Sequence, residues 1–348
     1  MMIIDKTKRK LGVIFILTLL VTCSEKKDKE LPEYLLETTA YTLANTVSRC
    51  SISSQNNSGY FQKNTIPSGA FLTVDRIDAE LPQAGSVEIY YPKGTTTNLP
   101  LVVLFPGGNV NNSFYSKYAA RIAADGYVVY VPNRCTIFFT QYFLKVSSAA
   151  GNEVYAFAKT QNTDSTSALF GRLNPEKIGY IGHSLGGVTA LYALNGICQF
   201  PFCDTGSSYL SQVKVAVLYG AGLTNQLDTS KIKLDDAGKA IPVAFVQGSF
   251  DTAFPEKDGR SSYDNYKSIK YFILLDGANH YSLTDVTNPY GSNLEKGTSL
   301  LTQSEGIERI SAVTLIMLNG YLKSSQTDIN KLTTNATGIT GITVNSSL

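Results

Sequence analysis

The chain has 348 residues, of which 43% are hydrophobic and 17% charged, and its formal net charge at pH 7 is +2. This composition is typical of a folded globular protein and argues against a disordered chain. The balanced charge argues against a nucleic-acid-binding protein, and a total of two histidines argues against a histidine-built metal site.

The first 22 residues are typical of an export signal. Four basic residues among the first ten precede an uncharged apolar run at 11–22, which is shorter than the roughly 20 residues that span a bilayer. The run ends in Leu-Val-Thr-Cys23, which resembles a bacterial lipobox and implies that Cys23 is lipidated. We therefore expect a protein exported to the bacterial cell envelope and anchored to a membrane by lipid. The alternative is an ordinary cleaved signal and a secreted or periplasmic protein.

Residues 23–65 are charged and then polar, and we predict a lipid-anchored tether and N-terminal extension. Residues 66–325 are predicted to form one catalytic domain, and 326–348 a polar C-terminal tail. Eight apolar runs in the domain predict strands, the first two antiparallel and the later ones alternating with helices. This order predicts an α/β fold: an eight-stranded, mostly parallel sheet covered by helices on both faces, with sites at the carboxyl ends of its strands. The predicted strands are 70–78, 86–91, 101–105, 127–131, 177–182, 213–219, 242–248 and 271–275.

Four cysteines follow Cys23, and an even number in an oxidising compartment suggests disulfides. Cys198 and Cys203 are close in sequence, with turn-forming residues nearby, so we predict a local bridge between them. This leaves Cys50 to pair with Cys135. Free buried thiols are the alternative.

The motif Gly182-His183-Ser184-Leu185-Gly186 lies between a predicted strand and a predicted helix. In that setting Gly-x-Ser-x-Gly indicates a nucleophilic serine on a strained turn, where the glycines leave room for neighbouring backbone. The N–H groups at the start of the helix can stabilise developing negative charge. The alternative is a glycine-rich turn with a spare hydroxyl. We expect His183 to be structural and to pack beneath the turn.

A serine is a weak nucleophile without a base, and His280 is the single histidine downstream of Ser184. It follows the last predicted strand of the domain. Asp251 follows the strand before that one, where it can orient His280 and stabilise its protonated form. The competing acids of this region are Asp258, Asp264 and Asp276.

Two backbone N–H groups are expected to form an oxyanion hole. One belongs to Leu185, directly after the nucleophile. The other comes from the Pro-Gly-Gly-Asn loop after the strand at 101–105, where glycine allows backbone to approach a substrate oxygen closely. Gly108 is the first choice and Asn109 the second, and a plain turn is the alternative. Aromatic residues near these loops are candidates for lining an apolar pocket or for core packing: Phe114, Tyr115, Phe254 and Tyr281.

These motifs resemble the α/β-hydrolase superfamily, in the branch of dienelactone-hydrolase-like, chlorophyllase-like, platelet-activating-factor-acetylhydrolase-like and polyester-degrading enzymes. The resemblance covers about residues 70–320 in the family's order. It implies a triad of Ser184, Asp251 and His280 and an oxyanion hole at Gly108 and Leu185. Polyester-degrading members often place a tryptophan beside the nucleophile. This chain has none, which argues against polymer hydrolysis. The matching segments are LPLVVLFPGG, ADGYVVYVPN, FGRLNPEKIGYIGHSLGG, QGSFD and DGANH.

The sequence thus predicts a serine hydrolase that cleaves carboxylic esters through an acyl-enzyme, with no metal and no cofactor. Its substrate would be a small-molecule or lipid ester. One alternative is a lipase or phospholipid acyl hydrolase, favoured by the membrane anchor. Another is a non-catalytic surface binding lipoprotein on a hydrolase scaffold, against which the intact set of Ser, Asp, His and Gly argues. Loops whose conformation the sequence does not predict determine the choice of ester.

Overall fold

The computed structural model describes residues 73–138, 141–198, 203, 206–222, 241–292 and 294–347. All of them belong to one compact unit, Thr46–Leu348. The predicted signal at 1–22, the tether at 23–65 and the lipidation site Cys23 lie outside the described residues.

The apolar runs form a large mixed sheet with the strand order β1-β2-β4-β3-β7-β8-β9-β10-β11. Pairing is parallel from β4 to β10 and antiparallel at both ends of the sheet. A separate hairpin joins β5 and β6. The strands are β1 Val74–Leu81, β2 Gly85–Pro92, β3 Leu99–Phe105, β4 Val128–Asn133, β5 Cys135–Phe138, β6 Gln141–Leu144, β7 Leu173–His183, β8 Val213–Tyr219, β9 Val243–Gly248, β10 Lys270–Leu275 and β11 Ile342–Ser347.

Helices cover the sheet on both faces. Alternate residues of β3 point to opposite faces, so Val102 and Leu104 join one buried cluster while Leu101 and Val103 join the other. Helices α1 and α5 pack into the first cluster, and α2 and α3 into the second. The helices are α1 Ser116–Ala124, preceded by a 3-10 turn at Asn112–Tyr115, α2 Ala150–Thr163, α3 Leu185–Leu194, α4 Glu256–Asn265, α5 Gln303–Leu322 and α6 Gln326–Thr333.

The eight predicted strands correspond to β1–β4 and β7–β10, but the sheet has nine strands among the described residues. The ninth, β11, lies in the segment predicted as a polar tail and pairs antiparallel with β10. Only Val344 of β11 is buried. Its place in the sheet therefore depends on backbone pairing rather than on an apolar pattern that sequence analysis could detect.

The structure contains the predicted disulfide between Cys198 and Cys203, with 4.9 Å between their Cα atoms. Cys135 is also disulfide-bonded. Cys50, the partner expected for it, lies outside the described residues, so that pairing stays a prediction. Among the helices described, none has the length and apolar character required to cross a bilayer.

Candidate active site

Ser184 occupies a strained turn between β7 and α3. Its backbone angles are φ 52° and ψ −125°, a conformation that costs a non-glycine residue about 1–3 kcal/mol. The surrounding structure holds this turn in place. The N–H of Ser184 donates to the Tyr219 carbonyl at the end of β8 (3.0 Å), and its carbonyl accepts from the N–H of Gly187 (2.9 Å).

The glycines on either side of Ser184 are required by backbone packing. A Cβ on Gly182 would overlap the Cα of Gly187, and a Cβ on Gly186 would overlap the carbonyl oxygen of Phe105. Both neighbours are main-chain atoms in buried elements, so no side chain can move aside. The Gly-x-Ser-x-Gly spacing is thus required because the start of α3 packs directly against the backbone of β3 and of β7.

His280 and Asp251 form a buried pair at the carboxyl ends of β10 and β9. Their side chains are joined by a 2.8 Å hydrogen bond between Nδ1 and Oδ2, and the residues are only 1% and 6% exposed. Asp251 also accepts from the Phe254 N–H through Oδ1 (2.7 Å) and from the Gln247 side-chain amide through Oδ2 (3.1 Å). These donors fix the carboxylate, which in turn orients the imidazole ring.

The competing acids do not contact His280 through any described hydrogen bond or ion pair. Asp276 accepts from the Ser249 hydroxyl at 3.1 Å, across the loops that follow β9 and β10. Asp258 and Asp264 lie in α4.

Ser184 and the His280–Asp251 pair lie at the same edge of the sheet. Gly220 follows Tyr219, the acceptor for the Ser184 N–H, and a Cβ on Gly220 would lie 2.9 Å from both His280 Nδ1 and Asp251 Oδ2. Within the described residues, Ser184 Oγ makes no hydrogen bond to His280. Hydroxyl–imidazole contacts of this kind are often long before substrate binds and shorten in the complex.

His183 is fully buried and connects three loops. Its Nε2 lies 2.9 Å from the carbonyl of His280, and its Nδ1 lies 2.8 Å from the hydroxyl of Tyr115. That hydroxyl accepts from the N–H of Gly107 at 2.8 Å. Burial, reinforced by the neighbouring His280, holds the pKa of His183 well below 6.5, so its ring is neutral. A carbonyl can only accept, so Nε2 carries the proton and Nδ1 accepts from Tyr115.

The amides of the loop after β3 differ in their partners. Gly107 N–H donates to Tyr115, and Asn109 N–H donates to the Leu144 carbonyl of β6 (2.9 Å). Gly108 N–H has no partner within the part of the chain described. A Cβ on Gly108 would lie 3.0 Å from Leu185 Cδ2, so the two expected oxyanion donors are neighbours. This geometry favours Gly108 over Asn109.

The asparagines after the oxyanion loop hold that loop in place. Asn109 Oδ1 accepts from the Leu144 N–H (3.0 Å), and Asn111 Oδ1 accepts from the Ser113 N–H (3.0 Å) as an N-cap. The Asn112 amide donates to a carbonyl of β4 at 3.1 Å. Asparagine commonly satisfies turns and caps in this way, a preference from which sequence analysis could have inferred this role but did not.

The four aromatic residues noted in the sequence have two different environments. Phe114, Tyr115 and Tyr281 are buried, the last two almost completely. They pack in the core under the loops. Phe254 is partly exposed and follows Asp251 by three residues.

Sequence analysis missed two polar residues beyond His280. Ser292 donates to the carbonyl of Gly108 at 3.0 Å. Glu295 accepts from the backbone N–H of His280 at 2.9 Å and from the N–H of Thr252 at 3.1 Å. No local pattern points to them, because their partners lie far away in the sequence.

The titratable clusters of this site do not resemble a metal centre. In the described ranges, no group of three or more His, Cys, Asp or Glu residues could hold a metal ion.

Residues 65–199 match the model of the PETase family, described as PET hydrolase-like. A comparison with curated proteins finds no match. The matched region contains the oxyanion loop with Gly108 and the turn with Ser184, and it ends before Asp251 and His280. The roles expected for Asp251 and His280 therefore rest on their geometry alone. Residues 65–199 are thus similar to PET hydrolase-like proteins, and the mostly parallel, helix-covered sheet has the architecture of the α/β-hydrolase fold.

Proposed function

We propose that the protein is a serine carboxylic-ester hydrolase that works through an acyl-enzyme. The similarity of residues 65–199 to the PET hydrolase-like family supports ester hydrolysis in general. The observation that carries the specific mechanism is the 2.8 Å bond between His280 and Asp251 at the edge of the sheet where Ser184 sits on its strained turn.

In the first half of the reaction, Ser184 Oγ attacks the ester carbonyl while His280 Nε2 takes its proton. Asp251 accepts a hydrogen bond from the Nδ1–H group throughout and stabilises the imidazolium that forms. His280 then gives its proton to the leaving alcohol, and the acyl group remains on Ser184. Water attacks the acyl-enzyme in the second half, again with His280 as base, and the carboxylic acid leaves. No cofactor takes part in these steps.

The oxyanion of each tetrahedral intermediate would accept hydrogen bonds from the N–H groups of Leu185 and Gly108. The first is the leading N–H of α3, which has no partner within its own helix. The second, Gly108 N–H, is the amide in the loop after β3 that has no acceptor among the described residues. Donors aimed in advance at developing charge usually give the largest single contribution to catalysis.

A lipase or phospholipid acyl hydrolase is the second candidate, and one observation favours it. Five of the six large hydrophobic side chains exposed in the described structure lie on the loops that follow β9 and β10, the loops that also carry Asp251 and His280. Apolar residues around a site suit a water-insoluble ester. The absence of tryptophan from the chain still argues against a substrate handled by tryptophan stacking. The five residues are Phe250, Val286, Tyr290, Leu294 and Leu300.

Substitution of Ser184 tests the mechanism. Ser184→Ala should lower hydrolysis of p-nitrophenyl esters by at least about 10⁴-fold with the fold intact, because triad residues act as a unit. Wild type should be labelled by an organophosphonate probe and Ser184→Ala should not. Ser211→Ala, at an exposed serine before β8, is the control and should behave as wild type. Turnover by Ser184→Ala would exclude the mechanism, and unlabelled, inactive wild type would favour the binding-lipoprotein alternative.

We also propose that Cys23 is lipidated and holds the enzyme on the membrane of the cell envelope. Wild type expressed in a bacterium should fractionate with membranes and incorporate labelled palmitate, and Cys23→Ala should do neither. Recovery of wild type as an unmodified soluble protein would contradict the anchor and leave a secreted or periplasmic enzyme.

A further inference from the structure

We propose that Glu295 is a positioning residue that locks the loop of the acid to the loop of the base; this inference rests on the proposed function. Its carboxylate accepts from three segments of the chain. The backbone N–H of His280 donates at 2.9 Å and that of Thr252 at 3.1 Å. The Thr252 hydroxyl also donates, and Gly297 N–H donates at 2.6 Å.

Among the described residues, no cation neutralises the charge of Glu295 directly. The residue is only 5% exposed, and none of the ion pairs among the described residues includes it. Burial raises the pKa of Glu295, but the hydrogen bonds from Thr252, His280 and Gly297 outweigh burial and bring it below its ordinary value of 4.5. The carboxylate is therefore ionised at neutral pH and is stabilised by charge-assisted hydrogen bonds from these donors.

The two loops that Glu295 joins are those that present the acid and the base. Thr252 directly follows Asp251, and His280 is the base itself. The loops also meet at a backbone bond from Phe250 N–H to the Ala278 carbonyl, 2.9 Å long. Glu295 adds a second connection between the loops, through Thr252 on the C-terminal side of Asp251. The carboxylate–imidazole contact thus lies between two crosslinks.

The segment that carries Glu295 is itself fixed. Asn288 and Glu295 exchange two hydrogen bonds: Asn288 Nδ2 donates to the Glu295 carbonyl (3.0 Å), and Glu295 N–H donates to Asn288 Oδ1 (3.1 Å). Between them, Ser292 donates to the Gly108 carbonyl of the oxyanion loop. Because its own backbone is held in this way, the Glu295 carboxylate can fix the positions of Thr252 and His280.

A loss of this tie should act on the chemical step. Glutamine in place of Glu295 would keep one acceptor oxygen and turn an NH₂ group toward donors. The Thr252 and His280 loops would then separate, and the imidazole would move relative to Ser184. Displacement of a reacting group by about 1 Å costs on the order of 100-fold in rate. Glu295 is almost completely buried and its carboxylate is occupied by backbone donors, so we expect KM to change little.

Glu153 provides a matched control. Its carboxylate also accepts from two backbone amides, those of Gln83 (2.7 Å) and Ala84 (2.6 Å). These lie at the turn between β1 and β2, across the sheet from β9 and β10. Glu153→Gln therefore makes the same chemical change to a carboxylate that holds backbone, away from the acid and the base.

The experiment compares full-length wild type, Glu295→Gln and Glu153→Gln on one p-nitrophenyl ester, with thermal unfolding of each. We expect kcat to fall about 10- to 100-fold in Glu295→Gln, with KM within threefold, and to stay within twofold of wild type in Glu153→Gln. The second-order rate of organophosphonate labelling should fall in parallel with kcat/KM. Glu295→Gln with wild-type kcat would overturn the proposal, and so would equal losses of kcat in both variants.

Thr252→Val keeps the test decisive if Glu295→Gln does not fold. It removes one donor to Glu295 at an exposed position and should lower kcat severalfold at constant KM; an unchanged kcat would overturn the proposal.

The failure of this inference is separate from failure of the proposed function. Inactive wild type, or active Ser184→Ala, would refute the mechanism. Active wild type with an unaffected Glu295→Gln would refute the positioning role alone.

Discussion

Tyr115→Phe removes one hydroxyl that two loops share. The hydroxyl accepts from Gly107 N–H and donates to His183 Nδ1, each at 2.8 Å, and it is fully buried. Phenylalanine leaves both partners unsatisfied, at about 1–3 kcal/mol for each group. Gly107 and His183 are close, since a Cβ on Gly107 would lie 3.0 Å from His183 Nδ1, so a shift of the Gly107 amide toward Nδ1 would offset part of this cost. We therefore expect a loss of about 2–3 kcal/mol in unfolding free energy, at the low end of the summed cost.

That adjustment would also move the loop carrying Gly108, so kcat should fall together with stability. Urea unfolding gives the free energy, and steady-state hydrolysis of a p-nitrophenyl ester gives kcat. Tyr118→Phe is the control on the next helix, since within the described residues its buried hydroxyl makes one hydrogen bond, with the Thr314 hydroxyl at 2.7 Å. It should cost about 1 kcal/mol and leave kcat unchanged. Equal losses of stability in both variants, with kcat unaffected in Tyr115→Phe, would refute the shared-hydroxyl reasoning.

Three further predictions follow from the site. Burial holds the pKa of His183 well below 6.5, so below pH 6.5 the unfolded chain takes up a proton that the folded chain does not. The unfolding free energy should therefore decrease as the pH is lowered below 6.5, by up to about 1.4 kcal/mol per pH unit. Urea unfolding of His183→Gln at pH 7 and pH 5 should lack this component, and the variant should retain turnover. Gly186→Ala should abolish organophosphonate labelling or folding, because its Cβ would overlap backbone at Phe105; normal labelling would contradict the packing. Adding Asp251→Asn to His280→Gln should reduce kcat little beyond the single change, because the acid then has no imidazole to orient; additive losses would argue against the pair.

The parts of the fold that sequence analysis predicted are those with local signals. Strand β3 is buried along its whole length, so its apolar run was unambiguous. The turn at Ser184 was recognisable from the glycines two residues before and after it, a spacing that close backbone packing requires. Asp251 and His280 were placed by their positions after two such strands.

The parts that it missed depend on partners distant in the chain. Glu295 binds Thr252 across 43 residues and His280 across 15, and neither separation leaves a local pattern. The hairpin of β5 and β6 holds Asn109 through Leu144, a contact that also exists only in the folded chain. Long-range hydrogen bonds of this kind follow from the fold and cannot be derived before it.

Strand β11 has a consequence for association between molecules. It covers β10, whose side chains are largely buried and apolar, and an apolar strand with open N–H and C=O groups is a template for pairing with another chain. The residues at the end of β11 are Asn345, Ser346 and Ser347, all exposed. They give the sheet a polar border that discourages edge-to-edge aggregation. The same composition that made this strand undetectable in the sequence thus suits it to end the sheet. Removal of residues 342–347 should expose the edge of β10 and increase self-association of the protein.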